Sequence, residues 1–176
     1  MCGFTGIISK KEYNDDSIRS MLDSIRHRGP DNLSFYENEN LHLGFARLQI
    51  IDLDPRSNQP MIDEETGAVI VFNGEVYNYK ELRQDLQGNG VKFKTTSDTE
   101  VILKGYLKYG KSILSKLRGM FAFVIFHKNK VFMARDHFGI KPLYYGFNDK
   151  GEFIFGSELK ALISNKFFSP ILNNNS

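Results

Sequence analysis

Met1-Cys2-Gly3-Phe4-Thr5-Gly6 begins the chain, and the run continues through Ile7-Ile8-Ser9 before polarity takes over at Lys10-Lys11-Glu12. Gly3 to Ser9, apolar at Phe4, Ile7 and Ile8, reads as a short buried strand at the extreme N-terminus. A terminus built into a sheet is held still, whereas most termini fray. The chain's single cysteine stands at the head of that strand. On composition alone a lone cysteine reads as a small buried hydrophobe. At position 2 it also reads as a nucleophile, because removal of Met1 would put a thiol and an α-amine on one residue. An α-amine titrates at about 7.7–8.0 and a thiol at about 8.5, so Cys2 would carry its own base. No histidine partner is needed. His27, His42, His127 and His137 show neither ligand spacing nor a triad and read as structural or surface residues.

The rest of the chain bounds the setting. At 176 residues it reads as one domain with enough apolar content, 41%, to build a core without disulfides or a structural metal. A formal charge of +2, with Lys and Arg scattered among acids, makes no case for nucleic acid. No apolar run approaches the ~18 residues of a membrane span, and the early polar break argues against a signal peptide. A single cysteine forms no internal disulfide, which fits a reducing, cytoplasmic setting.

Along the chain, Ile18, Met21, Leu22 and Ile25 fall on one face of a helix that starts near Asn14-Asp15-Asp16 and ends at Gly29-Pro30. Residues 33–35 and 41–48 read as strands around a polar turn, the second of them delivering Arg47. Residues 52–67 read as loop. A compact apolar strand over 68–72 runs into Asn73-Gly74-Glu75. Asn78 with Glu81, and Ser97 with Glu100, have capping-box spacing ahead of two helices, and residues 113–117 form a short helical piece. Strands over 120–126 and 131–134, then 143–147 and 152–155, form two hairpins, after which Ser157 caps a short helix. Residues 1–170 form the domain, and 171–176 a tail or linker stump. Strands at both ends with helices between them predict an α+β fold of antiparallel sheets, each covered by helices on one face.

Sulfur attack on an amide carbonyl creates an oxyanion that must meet preoriented donors. Asn73 offers a side-chain N–H and Gly74 a backbone N–H unshielded by a Cβ. The same dipeptide is also a strong hairpin-turn signal. Arg47 has the planar fork to clamp a carboxylate, and Glu75 and Asp98 the charge to meet an α-ammonium. Arg47 reads equally as a strand-end charge, and Asp98 as a first-turn acid favoured by the helix dipole. Together they describe a pocket for a zwitterion with a carboxamide side chain.

Taken as ordered blocks, Met1 to Gly3, Arg26 to Asp31 (RHRGPD), Arg47 to Asp52 (RLQIID), Phe72 to Tyr79 (FNGEVYNY), Ser97 to Leu103 (SDTEVIL), Gly119 to Phe123 (GMFAF) and Arg135 to Tyr145 (RDHFGIKPLYY) cover nearly the whole chain. The chain resembles the glutaminase domain of class II glutamine amidotransferases of the asparagine synthetase (glutamine-hydrolysing) type. The resemblance implies an N-terminal-nucleophile hydrolase fold, a four-layer α-β-β-α sandwich of two stacked antiparallel sheets. It implies Cys2 as nucleophile once Met1 is removed, and Asn73 and Gly74 as the oxyanion hole. It further implies Arg47 at the glutamine carboxylate, Leu48, Gln49, Ile50 and Ile51 lining the pocket, and Glu75 and Asp98 around the α-amino group. The substrate would be L-glutamine, hydrolysed to glutamate and ammonia through a γ-glutamyl thioester. The segments 27–30 and 135–142 read as structural turns or contacts to a neighbouring domain and are not assigned to the site.

Relatives continue into an ATP-dependent synthetase domain with a serine-glycine-glycine pyrophosphate loop that these 176 residues lack. That partner is expected in a full-length chain or in trans, with ATP and Mg belonging to it and no metal or cofactor in this segment. A homodimer is among the assemblies the resemblance allows. Phe45-Ala46 stands where relatives often carry a polar or basic residue. Two rival readings remain: a silent glutamine-binding or docking module, if the domain is truncated or Met1 is retained, and an amidotransferase domain serving another acceptor such as a sugar carboxylate.

Overall fold

The computed structural model describes residues 1–9, 16–48 and 57–171. Two antiparallel sheets lie face to face. The larger has the order β2-β3-β1-β9-β8, built from β1 (Gly3–Ile8), β2 (Asn32–Glu37), β3 (Leu41–Arg47), β8 (Tyr144–Phe147) and β9 (Phe153–Gly156). The smaller has the order β4-β5-β6-β7, from β4 (Met61–Ile62), β5 (Val69–Val76), β6 (Gly119–His127) and β7 (Lys130–Arg135). The N-terminal strand is therefore the middle strand of its sheet, paired with β3 on one side and β9 on the other.

Three apolar layers hold this together. Between the sheets, Phe4, Phe45 and Phe155 meet Val69, Val71, Ala122 and Val124. Behind the smaller sheet, Ile70, Phe72, Phe121, Phe123 and Ile125 pack on α2 (Tyr79–Gly88) and α3 (Asp98–Tyr109) through Leu82, Leu86, Val101, Ile102 and Leu103. Behind the larger sheet, Ile7 and Ile154 pack on α1 (Ser17–Ser24) and α4 (Leu159–Ile163) through Ile18, Met21, Leu22 and Leu162. The molecule is a four-layer α-β-β-α sandwich. Because successive side chains of β5 and β6 enter different layers, both of which exclude water, these strands are continuous apolar runs.

Local readings hold where the packing is local and change where it is not. The face Ile18, Met21 and Leu22 is buried as the helical period predicts. Ser97 caps α3, its side chain accepting from Glu100 N. The Glu100 carboxylate does not return to Ser97, and takes the backbone N–H of Lys94 (2.8 Å) and Thr95 (2.7 Å) instead. Asn78 does not cap α2: its amide is spent on Lys116 O (2.9 Å) and Arg118 N (2.9 Å), fastening the helix start to the segment before β6. Ser157 does not cap α4 either; its hydroxyl accepts from Phe4 N (3.0 Å), tying the end of β9 to β1. Asn73-Gly74 is no turn, since β5 continues through it to Val76, paired with β6. Within the expected loop 52–67, Met61-Ile62 forms β4. Asn14 and Asp15 as helix-start residues, residues 52–56 of that loop and the tail 172–176 lie outside the described residues.

Candidate active site

The site forms at one end of the sandwich, where β1 begins, β3 ends and the last half of β5 passes opposite. Gly3 pairs with Ala46, so Cys2 stands across from Arg47. The Cys2 thiol donates to Leu48 O (3.4 Å) and receives Leu48 N–H (3.3 Å). From the smaller sheet come Asn73, Gly74 and Glu75, and from the first turn of α3 comes Asp98. One cavity is lined by Cys2, Arg47, Asn73, Gly74, Glu75 and Asp98, with Leu48 on its wall. The structure thus brings together every described residue of the expected set. Gln49, Ile50 and Ile51 lie outside the described residues. Of the four histidines, none lines this cavity.

Gly74 is glycine for a steric reason. A Cβ there would stand 2.3 Å from Met120 O and 2.7 Å from Phe121 Cα, inside the backbone of β6. Asn73 is buried, and its amide orientation follows from its neighbours. Only with nitrogen toward Cys2 O (3.1 Å) and oxygen toward Arg28 Nη2 (3.3 Å) are both ends paired. That leaves the second amide hydrogen for another acceptor. Arg47 is buried, with a guanidinium nitrogen on Asn58 Oδ1.

Asp98 is buried and receives the backbone N–H of Val76 (3.1 Å). Burial pushes its carboxyl up to about 6, with the neighbouring Glu75 charge adding to the rise and backbone donors opposing it. A raised acid binds its proton in the folded state after the unfolded state has lost it, so stability falls as pH rises from about 3.8 to about 6. Asp98→Asn keeps an acceptor for Val76 N–H and removes that cost. The variant is expected to gain up to about 3 kcal/mol on the wild type between pH 4 and pH 7.5, measured by denaturant unfolding at both.

Three residues at the site were missed from sequence. Arg28, in the 3-10 turn Arg26–Arg28, is buried and donates from Nε to Cys2 O (2.9 Å) and from Nη1 to Glu158 Oε1 (2.8 Å). A Cβ on Gly3 would meet the Arg28 side chain at 2.8 Å, so the glycine after Cys2 makes room for this clamp. Burial works against the Glu158 charge, and Arg28 and Lys160 override it, holding the carboxyl below its ordinary range. The second is Lys141, 6% exposed, on the cavity wall. Both belong to the RHRGPD and RDHFGIKPLYY blocks, whose Gly and Pro read locally as turns. Gln59 was missed as well. Its amide pairs with both Phe72 N (2.5 Å) and Phe72 O (3.1 Å), prolonging the sheet beside the site.

Over residues 1–176 the chain matches the model of the glutamine amidotransferase domain, and it belongs to that family. A protein named asparagine synthetase (glutamine-hydrolyzing) 1 from Bacillus subtilis (strain 168) is 46% identical over 171 residues, covering 93% of this chain and 27% of that protein. A putative asparagine synthetase (glutamine-hydrolyzing) 2 from Methanocaldococcus jannaschii is 41% identical over 187 residues, covering 94% of this chain and 36% of the relative. The chain thus spans about a quarter to a third of the length of these curated relatives. Among solved structures, glutamine phosphoribosylpyrophosphate amidotransferase from B. subtilis, complexed with ADP and GMP, superposes with a TM-score of 0.78 at 22% identity, over 93% of this chain and 43% of the other. The sandwich is that of the N-terminal-nucleophile hydrolases. No helix among the described residues is long and apolar enough to cross a membrane.

Proposed function

We propose that this domain hydrolyses L-glutamine to glutamate and ammonia at Cys2, once Met1 has been removed, and feeds the ammonia to an ATP-dependent synthetase. The observation that carries the reading is the convergence of a thiol, two amide donors, a buried arginine and two acids on one cavity at the chain's N-terminus.

In this reading the Arg47 guanidinium holds the α-carboxylate of glutamine, while Glu75 and Asp98 hold its α-ammonium. Leu48 walls the side chain. The Cys2 α-amine takes the thiol proton and sulfur attacks the carboxamide carbon, forming a C–S bond. The carbonyl oxygen gains the negative charge and is met by the free Asn73 amide hydrogen and the Gly74 backbone N–H. Collapse breaks the C–N bond, the α-ammonium supplies the proton to the leaving nitrogen, and ammonia departs. Water then adds to the thioester carbon through the same oxyanion, with the amine as base, and releases glutamate and the thiol.

No step here draws on a metal or cofactor from this domain; ATP and Mg belong to the synthetase part, in the same chain or in trans. The relatives' names favour aspartate as the ammonia acceptor, with another carboxylate as the alternative. A reducing, cytoplasmic setting keeps Cys2 as a thiol. Glutamine-dependent glutamate release by protein whose intact mass lacks one methionine, blocked by a γ-glutamyl alkylator that marks Cys2, is the expected result. Absence of glutamate from fully processed protein would leave the docking-module reading. Because an ionised Asp98 is needed for the ammonium, KM for glutamine should rise about tenfold per pH unit below about 6 in steady-state assays, and lose that dependence in Asp98→Asn.

A further inference from the structure

We infer that the buried Lys141 ammonium is the fixed charge that keeps the α-amine of processed Cys2 neutral, and hence able to act as the base. The inference rests on the glutaminase reading above. A lysine is seldom buried without a partner of opposite charge. Lys141 is 6% exposed, while Phe138 and Ile140 on the same segment are 90% and 55% exposed, an inversion of the usual partition. Its recorded partner among the described residues is a neutral one, the thioether of Met1, at 3.2 Å from Nζ.

The segment is built to aim the lysine inward. Asp136 receives four backbone N–H groups: Phe138 (3.1 Å) and Ile140 (2.9 Å) on one oxygen, Phe121 (3.2 Å) and Lys141 (3.0 Å) on the other. Burial disfavours the Asp136 charge, and these donors override it, holding the carboxyl below its ordinary range. Through Asp136 the backbone of Lys141 is fastened to Phe121, the residue that pairs with Gly74.

Removal of Met1 takes away the thioether and leaves the new amine on a residue that lines the same cavity. By bond lengths alone the Cys2 nitrogen lies no more than about 6 Å from the Met1 sulfur, so ammonium and amine face one another across less than about 10 Å. Two cations lining one cavity disfavour each other, and the amine, whose ordinary value is the lower of the two, is the group that gives up its proton. Among the described residues, the other charges facing Cys2 are Arg28, on its carbonyl, and Arg47 across the strand, of the same sign, with Glu75 and Asp98 from β5 and α3 of opposite sign. Bound glutamine occupies both acids with its own ammonium and Arg47 with its carboxylate, which leaves Arg28 and Lys141. Arg28 is already compensated by Glu158, whereas Lys141 is not paired with an acid among the described residues.

The test is the pH dependence of kcat/KM for Met1-processed wild type, Lys141→Met and Lys141→Arg. Neutralisation is expected to move the upper acid limb alkaline by about one pH unit, an about tenfold loss at a pH below that limb. The Asp98 limb near pH 6 should stay, and Lys141→Arg should keep the wild-type profile. A limb unmoved in Lys141→Met, or moved equally in Lys141→Arg, overturns the inference. Because Cys2 is the chain's single cysteine, its alkylation rate by iodoacetamide against pH gives a second readout that needs no turnover. Its midpoint should shift in the same direction, and an unshifted midpoint likewise overturns the assignment of Lys141. Wild type that alkylates with the expected profile but releases no glutamate would refute the glutaminase reading instead. Lys141→Gln repeats both measurements if the methionine variant does not fold.

Discussion

Cys2→Ala should lose glutamate release by at least about 10³-fold while still binding glutamine. In the proposed mechanism the sulfur forms the covalent bond, and these 176 residues hold no second cysteine to replace it. In that mechanism Arg47, Glu75 and Asp98 hold the two ends of the substrate, and they stand on other strands and a helix, so they survive the substitution. The change removes the thiol's weak contacts with Leu48 and a small part of its packing on the inter-sheet layer, so folding should be little affected. In a thermal-shift titration, glutamine at 100 times its Kd should stabilise the variant by about 2.7 kcal/mol, as for any ligand of the native state alone. Glutamate release equal to wild type in Cys2→Ala would end the glutaminase assignment. Loss of binding together with activity would mean that the cavity depends on Cys2 for its shape.

Arg28→Met should cost both stability and turnover. The guanidinium satisfies three acceptors at once: Cys2 O, Glu158 Oε1 and the oxygen of Asn73. Methionine fills the space over Gly3 and leaves all three without that donor. Glu158 retains Lys160 at 3.2 Å and is partly exposed, so the loss is expected at about 2–3 kcal/mol, below that of a fully buried pair. The sign of its pH dependence follows from the lowered Glu158 carboxyl. That contribution is present above the unfolded value near 4.5 and is lost as pH falls through the lower folded value. The stability gap between wild type and variant should therefore narrow on acidification below about pH 4.5, measured by urea unfolding across that range. Turnover should fall about 10²-fold, because Arg28 fixes both the Cys2 carbonyl and the amide of Asn73. Lysine at this position offers no planar fork and should not rescue it. A variant with wild-type kcat would reduce Arg28 to a structural clamp.

These two positions differ in how they could be found. Cys2 was legible because covalent chemistry is local: once Met1 is removed, one residue would carry thiol and amine together. Arg28 was not, because its function is the sum of acceptors at positions 2, 73 and 158, and its own neighbours, Gly29 and Pro30, signal a turn. Lys141 was hidden for the same reason, inside a segment whose glycine and proline dominate the local reading. Asn78 and Ser157 were misread in the opposite direction. Each sits where a helix cap belongs, yet its side chain is claimed by a partner 40 or 153 residues away.

The sequence by itself determined the strands and helices that bury a face, from the alternation and helical periods, and it determined the residue types of a zwitterion pocket ending on Cys2. It also determined that β1 starts at once after the nucleophile. Only the tertiary structure decided that β1 is the middle strand of its sheet, that β5 runs on through Asn73-Gly74, that Arg28 closes on the Cys2 carbonyl and that Lys141 lines the same cavity. Periodicity reports whether a side chain is buried, since burial repeats with the geometry of one element. Which charge faces which is set by pairing between strands distant in sequence, and that register is decided by the packing of whole layers.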